Sequence, residues 1–185
     1  MRKKRMLRPE KTDEALFKAF ENVIKTHSLN DITVAVIIKE ANIHRSTFYS
    51  HFEDKYELAK AYLLKRLEDI NDVVETLLNE TPEVRLAATV RFFRLLKSNK
   101  DAIDTAMRNI GRETCFNCLE EGSGRIIGAL IKTERPPEDI DREYLARYMT
   151  GAFVGVTKWW VNNDMEMSPE RLASEFYRIC EKIMR

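Results

Sequence analysis

TVAVIIKEANIHRSTFYSHFEDKYEL, residues 33–58, is the stretch on which the reading of the whole chain turns. Its β-branched opening would suit a strand as well as a helix. The sequence holds no second strand-like run to pair with it, and Thr33 is a fair N-cap, so the stretch is read as a helix packing Val34, Ile37 and Ile38. Asn42 marks a natural break after Ala41, and a second short helix follows over roughly Arg45 to Ser50. Asp54 with Glu57 three residues on resembles a capping box that opens a long helix, continuing to about Leu78. Upstream, Leu16, Phe17, Phe20, Val23 and Ile24 keep helical spacing within a helix from about Thr12 to His27.

Two short helices joined at ANIH, with a third before them, predict a helix-turn-helix in a three-helix bundle. The second short helix then lies in a major groove with its first residues toward base edges. Arg45 suits bidentate bonding to guanine, while Ser46 and Thr47 donate or accept and the Thr47 methyl meets thymine. Tyr49, His51 and Lys55 are expected on phosphates, as is Thr33 through its hydroxyl and amide. Phe48 and Phe52 are expected in the core. The same pattern also fits a charged three-helix cap without a ligand.

Residues 33–58 closely resemble the DNA-binding signature of the TetR family of bacterial transcriptional regulators. The match runs through Thr33, Ile37, Ala41, Ile43, the TFY of 47–49, the HF of 51–52, Lys55 and Leu58. With the preceding helix it covers about residues 9–60. The family usually has Gly where Asn42 stands, and Asn tolerates the left-handed conformation, so the turn is expected to survive. It usually has Ser or Thr where His44 stands, which leaves the recognition helix with a poorer cap or brings His44 itself to DNA. The segment 151–173, GAFVGVTKWWVNNDMEMSPERLA, resembles the end of a subgroup that includes regulators of dihydroxyacetone metabolism.

The totals are compatible but say less. Net charge over 185 residues is +1; residues 1–60 carry 12 Lys and Arg against 9 Asp and Glu, a net +3 that leaves −2 for the remainder. The basic start MRKKRMLRPEK has no apolar stretch behind it to make a signal peptide, and residues 1–9 are read as a mobile arm. No run of 18 apolar residues predicts a membrane span. Three cysteines make no disulfide framework, so a reducing cytoplasm is expected. Cys115 and Cys118 stand one helical turn apart, but no His lies beyond residue 51 to complete a zinc site. With no Gly-rich phosphate loop and no nucleophile–base pair, neither an enzyme nor a cofactor is expected.

Few glycines and prolines elsewhere predict helices near 82–98, 100–109, 112–132, 138–162 and 169–184, with ERPPED (134–139) as a loop. The fold class is therefore all-α, with about nine helices. An N-terminal helix-turn-helix domain, 1–60, has its motif at about 33–52, and a helical domain, 61–185, is similar in helix order and lengths to the family's effector-binding and dimerisation domain. The resemblance implies a homodimer whose last two helices form a four-helix bundle with the partner's. Gly151, Ala152 and Gly155 suit its seam by allowing close approach, joined by Trp159, Phe176 and Ile179. Phe92, Phe93, Met107, Arg108, Cys115, Phe116, Tyr148 and Trp159 are candidates for a small-molecule effector cavity, although aromatics at helical spacing equally fill a core. The expected function is repression at a double-stranded DNA operator, relieved by that effector; the alternative is a TetR-like helical module controlled by a protein partner or lacking a small-molecule ligand.

Overall fold

The computed structural model describes residues 7–75, 81–133 and 140–183. In chain order the helices are α1 (Leu7–Ile24), α2 (Val34–Ala41), α3 (Arg45–Tyr49), α4 (Lys55–Glu75), α5 (Pro82–Ser98), α6 (Lys100–Ala106), α7 (Arg112–Thr133), α8 (Arg142–Asn162) and α9 (Pro169–Ile183). A π-helical turn, Met107–Gly111, joins α6 to α7. No strand occurs among the described residues. The stretch that suited strand or helix is helical, with Ile37 buried and Val34 and Ile38 packed beside it.

Several boundaries differ from the sequence reading. α1 begins at Leu7 instead of Thr12, so residues 7–9 of the expected mobile arm are helical, and it stops at Ile24 instead of His27. Its end is set by a turn in which the amides of Thr26 and His27 both bond to the Val23 carbonyl. The break expected near 109–112 is a π-turn, in which the helix widens instead of stopping. α8 starts after Asp141, whose carboxylate accepts from the Tyr144 amide at 2.8 Å, four residues later than the expected start. Residues 1–6, the end of the long helix near Leu78, and ERPPED lie outside the described residues.

The chain divides into two compact units. The first ends at Leu63 and also takes in Asp101–Cys115; the second comprises Leu64–Lys100 and the chain from Phe116 onward. In the first, Leu16, Phe20, Ile37, Phe48 and Leu58 are wholly buried and form one core with Phe52, Ile32 and Ile110. Each such side chain contributes roughly 1.5–3 kcal/mol on burial. Asn109 fastens the returning segment to this unit: its carbonyl accepts from the Leu29 amide at 2.6 Å, and its Nδ2 donates to the Ile24 carbonyl at 2.7 Å. The latter bond satisfies a carbonyl that the end of α1 would otherwise leave open.

In the second unit α5 packs on α9, and α8 on α9. Phe92 and Phe93 of α5 meet Phe153 of α8 at ring-centroid distances of 5.4 and 5.7 Å, and Phe153 meets Phe176 of α9 at 5.5 Å. Trp160 lies edge-on to Phe93 at 5.4 Å and is wholly buried, so its indole N–H needs a partner; it donates to the Met167 carbonyl at 2.8 Å. That bond, with Lys97 Nζ donating to the Met165 carbonyl at 2.8 Å and the Lys100–Asp164 ion pair, ties down the α8–α9 turn. Asp164 and Met165 both have left-handed backbones there.

Candidate nucleic-acid interface

The first unit presents α3 as a five-residue helix held from beneath. Phe48 is fully buried and touches Tyr49 edge-on at 5.3 Å and Phe52 at 6.2 Å. With Phe48 inward, His44, Arg45, Ser46 and Tyr49 are exposed and Thr47 is half-buried. The turn before it depends on Asn42, at φ 52° and ψ 49°, whose amide satisfies the last carbonyls of α2. His44 has the extended backbone of an N-cap but its side chain makes no capping hydrogen bond. Thr33 is exposed and caps α2, its hydroxyl accepting from the Val36 amide at 3.4 Å.

The charged side chains expected on DNA are already partnered. Arg45 lies over the Tyr49 ring at 5.4 Å and donates from Nη2 to the Tyr49 hydroxyl at 3.4 Å, one helical turn on. Lys55 directs its ammonium to the carbonyls of Asn30 at 3.0 Å and Ile32 at 2.8 Å, and sits 5.2 Å from the Tyr56 ring centroid. An ammonium has three donors, so one is left for a phosphate. His51 Nδ1 lies 2.7 Å from Asp13 Oδ1 of α1. At the start of α4, Asp54 accepts from the amides of Tyr56 and Glu57, both at 2.8 Å, and Glu57 reaches back to the Glu53 amide. This matches the expected capping box, displaced by one residue at its return bond.

Asp13 and Asn30 carry no signal in the sequence. Asp13 stands 38 positions from His51, and Asn30 contributes a backbone carbonyl that any residue could supply. The placement of α1 brings in Asp13, and the loop between α1 and α2 brings in Asn30.

The effector candidates are distributed differently. Phe92 and Phe93 join the aromatic cluster of the second unit, and Phe116 is buried with Lys158 5.5 Å from its ring centroid. Tyr148 and Trp159 are exposed on α8, while Met107, Arg108 and Cys115 fall in the first unit. A surface cleft of about 480 Å³ lies at the α8–α9 turn, lined by Trp159, Trp160, Asn163, Glu166, Met167, Ser168 and Arg171. Of the residues expected in a dimer seam, Gly151 and Gly155 are exposed, and a Cβ built on either meets nothing within 4 Å. Trp159 and Ile179 are exposed too, whereas Ala152 and Phe176 are half-buried.

A buried aromatic beneath a short exposed helix, a left-handed turn and a supporting helix together define a helix-turn-helix. Residues 16–62 match the family model described as bacterial regulatory proteins, tetR family, and residues 86–182 match that of a transcriptional regulator C-terminal region. The chain belongs to the tetR family of bacterial regulatory proteins. It is 25% identical to the uncharacterized HTH-type transcriptional regulator YxbF of Bacillus subtilis (strain 168) in an alignment of length 179 that covers 92% of this chain and 45% of that protein. The chain thus spans about half the length of this curated relative. A TetR transcriptional regulator from Streptococcus agalactiae 2603V superposes with a TM-score of 0.65 at 24% identity, covering 96% of each chain. The transcriptional regulator FadR of Bacillus subtilis, in complex with stearoyl-CoA, gives 0.60 at 19% identity, covering 90% of this chain and 96% of that one. At these identities the structures establish a shared fold.

Proposed function

We propose that the protein is a cytoplasmic, homodimeric repressor that reads an operator with α3 and is released by a small-molecule effector. The observation that carries the reading is the division of α3, with Phe48 buried and Arg45, Ser46 and Tyr49 exposed. Arg45 addresses a base edge; Thr33, Tyr49, His51 and Lys55 address phosphates; Ser46, Thr47 and His44 complete the reading surface. Tyr49 keeps Arg45 close to the helix until a guanine offers a better partner. The effector arm rests on a second unit larger than a dimer seam requires and on the acyl-CoA bound by a protein of the same fold. Release requires the effector to favour the conformation that binds DNA poorly.

Genome-wide binding followed by footprinting locates the operator. Arg45→Ala is expected to relax preference at one base position per half-site, costing ~1–3 kcal/mol there. A uniform loss of affinity with unchanged preference would remove α3 from the groove. Screening metabolites by the emission of Trp159 and Trp160, then measuring operator affinity with each hit, tests the effector arm. Hits that leave operator affinity untouched would favour control by a protein partner.

A further inference from the structure

We infer that Asp13 of α1 is a positioning residue for DNA binding, acting through His51; the inference rests on the DNA-binding reading above. His51 lies two residues past the end of α3, and its ring is fixed by two features. One is the 2.7 Å contact between Nδ1 and Asp13 Oδ1, and the other is the Phe52 ring, 6.4 Å away between centroids. The side chain of His51 is 18% exposed and that of Asp13 37%, so water competes only partly for the pair.

The chemistry of the two groups sets the consequence. A carboxylate accepts, so the hydrogen between them belongs to Nδ1. With Nδ1 committed, Nε2 is the one ring nitrogen left for DNA. A phosphate oxygen also accepts, so a contact there needs a proton on Nε2 as well, taken up from solvent when DNA binds; the ring then donates to Asp13 on one side and to phosphate on the other. A carboxylate behind a histidine fixes the plane and orientation of the ring, here aiming Nε2 away from Asp13. Asp13 therefore contributes to DNA affinity despite its own negative charge, which at long range opposes binding. A bystander carboxylate predicts the opposite sign: removing it would strengthen binding.

The test uses the full-length protein and a short duplex of mixed sequence at low salt, since phosphate contacts do not require the operator. Asp13→Ala is expected to weaken binding about tenfold, the scale of one hydrogen bond to a charged group. In a His51→Gln background the same substitution is expected to change affinity little or to raise it. Asp13→Leu, close in size but without an acceptor, serves if Asp13→Ala melts early. Imidazole ¹⁵N spectra of the wild type should show a protonated Nδ1 at His51, a pattern lost in Asp13→Ala. Equal losses in both backgrounds would make Asp13 a purely structural clamp, and tighter binding by Asp13→Ala would make it a bystander. Either result overturns the inference. A folded wild type that fails to bind any duplex would instead overturn the DNA-binding reading, and this inference with it.

Discussion

Individual side chains in the reading head differ in what they do before DNA arrives. Tyr49 is 46% exposed and carries no part of the core, so Tyr49→Ala is expected to weaken binding to all sequences alike while leaving the melting temperature nearly unchanged. Lys55 closes the loop ahead of α2 through two carbonyls as well as standing near the start of α4. Lys55→Ala is therefore expected to lose affinity and also about 1–3 kcal/mol of stability. Thermal melts beside a salt titration separate the two, and an unaltered melt for Lys55→Ala would show those carbonyl bonds to be worth little. At this scale the sequence was legible where the cause is local. Asn42 announced a left-handed turn because its short side chain tolerates that backbone, and His44 announced a weak cap because its imidazole is a poor capping group. Asp13 was illegible because its role depends on α1 lying beside His51, and no local preference encodes that contact.

Elements were legible in type and less so in their ends. α2 was recoverable despite its β-branched run because a lone strand has nothing to pair with, and hydrophobic burial of Ile37 does the rest. The π-turn at Met107–Gly111 was not, since its extra residue per turn is settled by what Met107 and Ile110 bury and not by their own preferences. The candidate effector residues show the limit of periodicity: helical spacing of aromatics fits a cavity wall and a core alike, and the contact of Phe92 and Phe93 with Phe153 depends on α8, which no local pattern encodes. On α9, Cys180 packs against Ile131, Leu145 and Met149, and burial pushes its thiol up to about 12. The unfolded chain's thiol ionises near 9.0, so the stability associated with this site is intact below that value and declines as pH climbs toward 12. Cys180 is accordingly expected to resist iodoacetamide at mildly alkaline pH until the protein unfolds, which mass spectrometry of labelled peptides reads directly. Prompt labelling in the native state would mean that α9 opens readily.

The whole molecule adds what no single helix can. Tyr144, Tyr148, Gly151, Gly155 and Trp159 recur along the exposed side of α8, an apolar stripe that suits a second copy of the chain. Because a Cβ at Gly151 meets nothing within the protomer, Gly151→Leu is expected to fold normally yet sediment as a monomer and bind operator poorly. An intact dimer would move the seam elsewhere. The return of Asp101–Cys115 into the first unit has a further consequence, for how such regulators can be recombined. A chimaera cut after residue 63 would carry the recognition helix without Asn109, leaving the Leu29 amide and the Ile24 carbonyl without their partners and the place of Ile110 empty. The reading head is thus not a cassette to be spliced at one junction. A graft that keeps its specificity intact must transplant two separate stretches of chain.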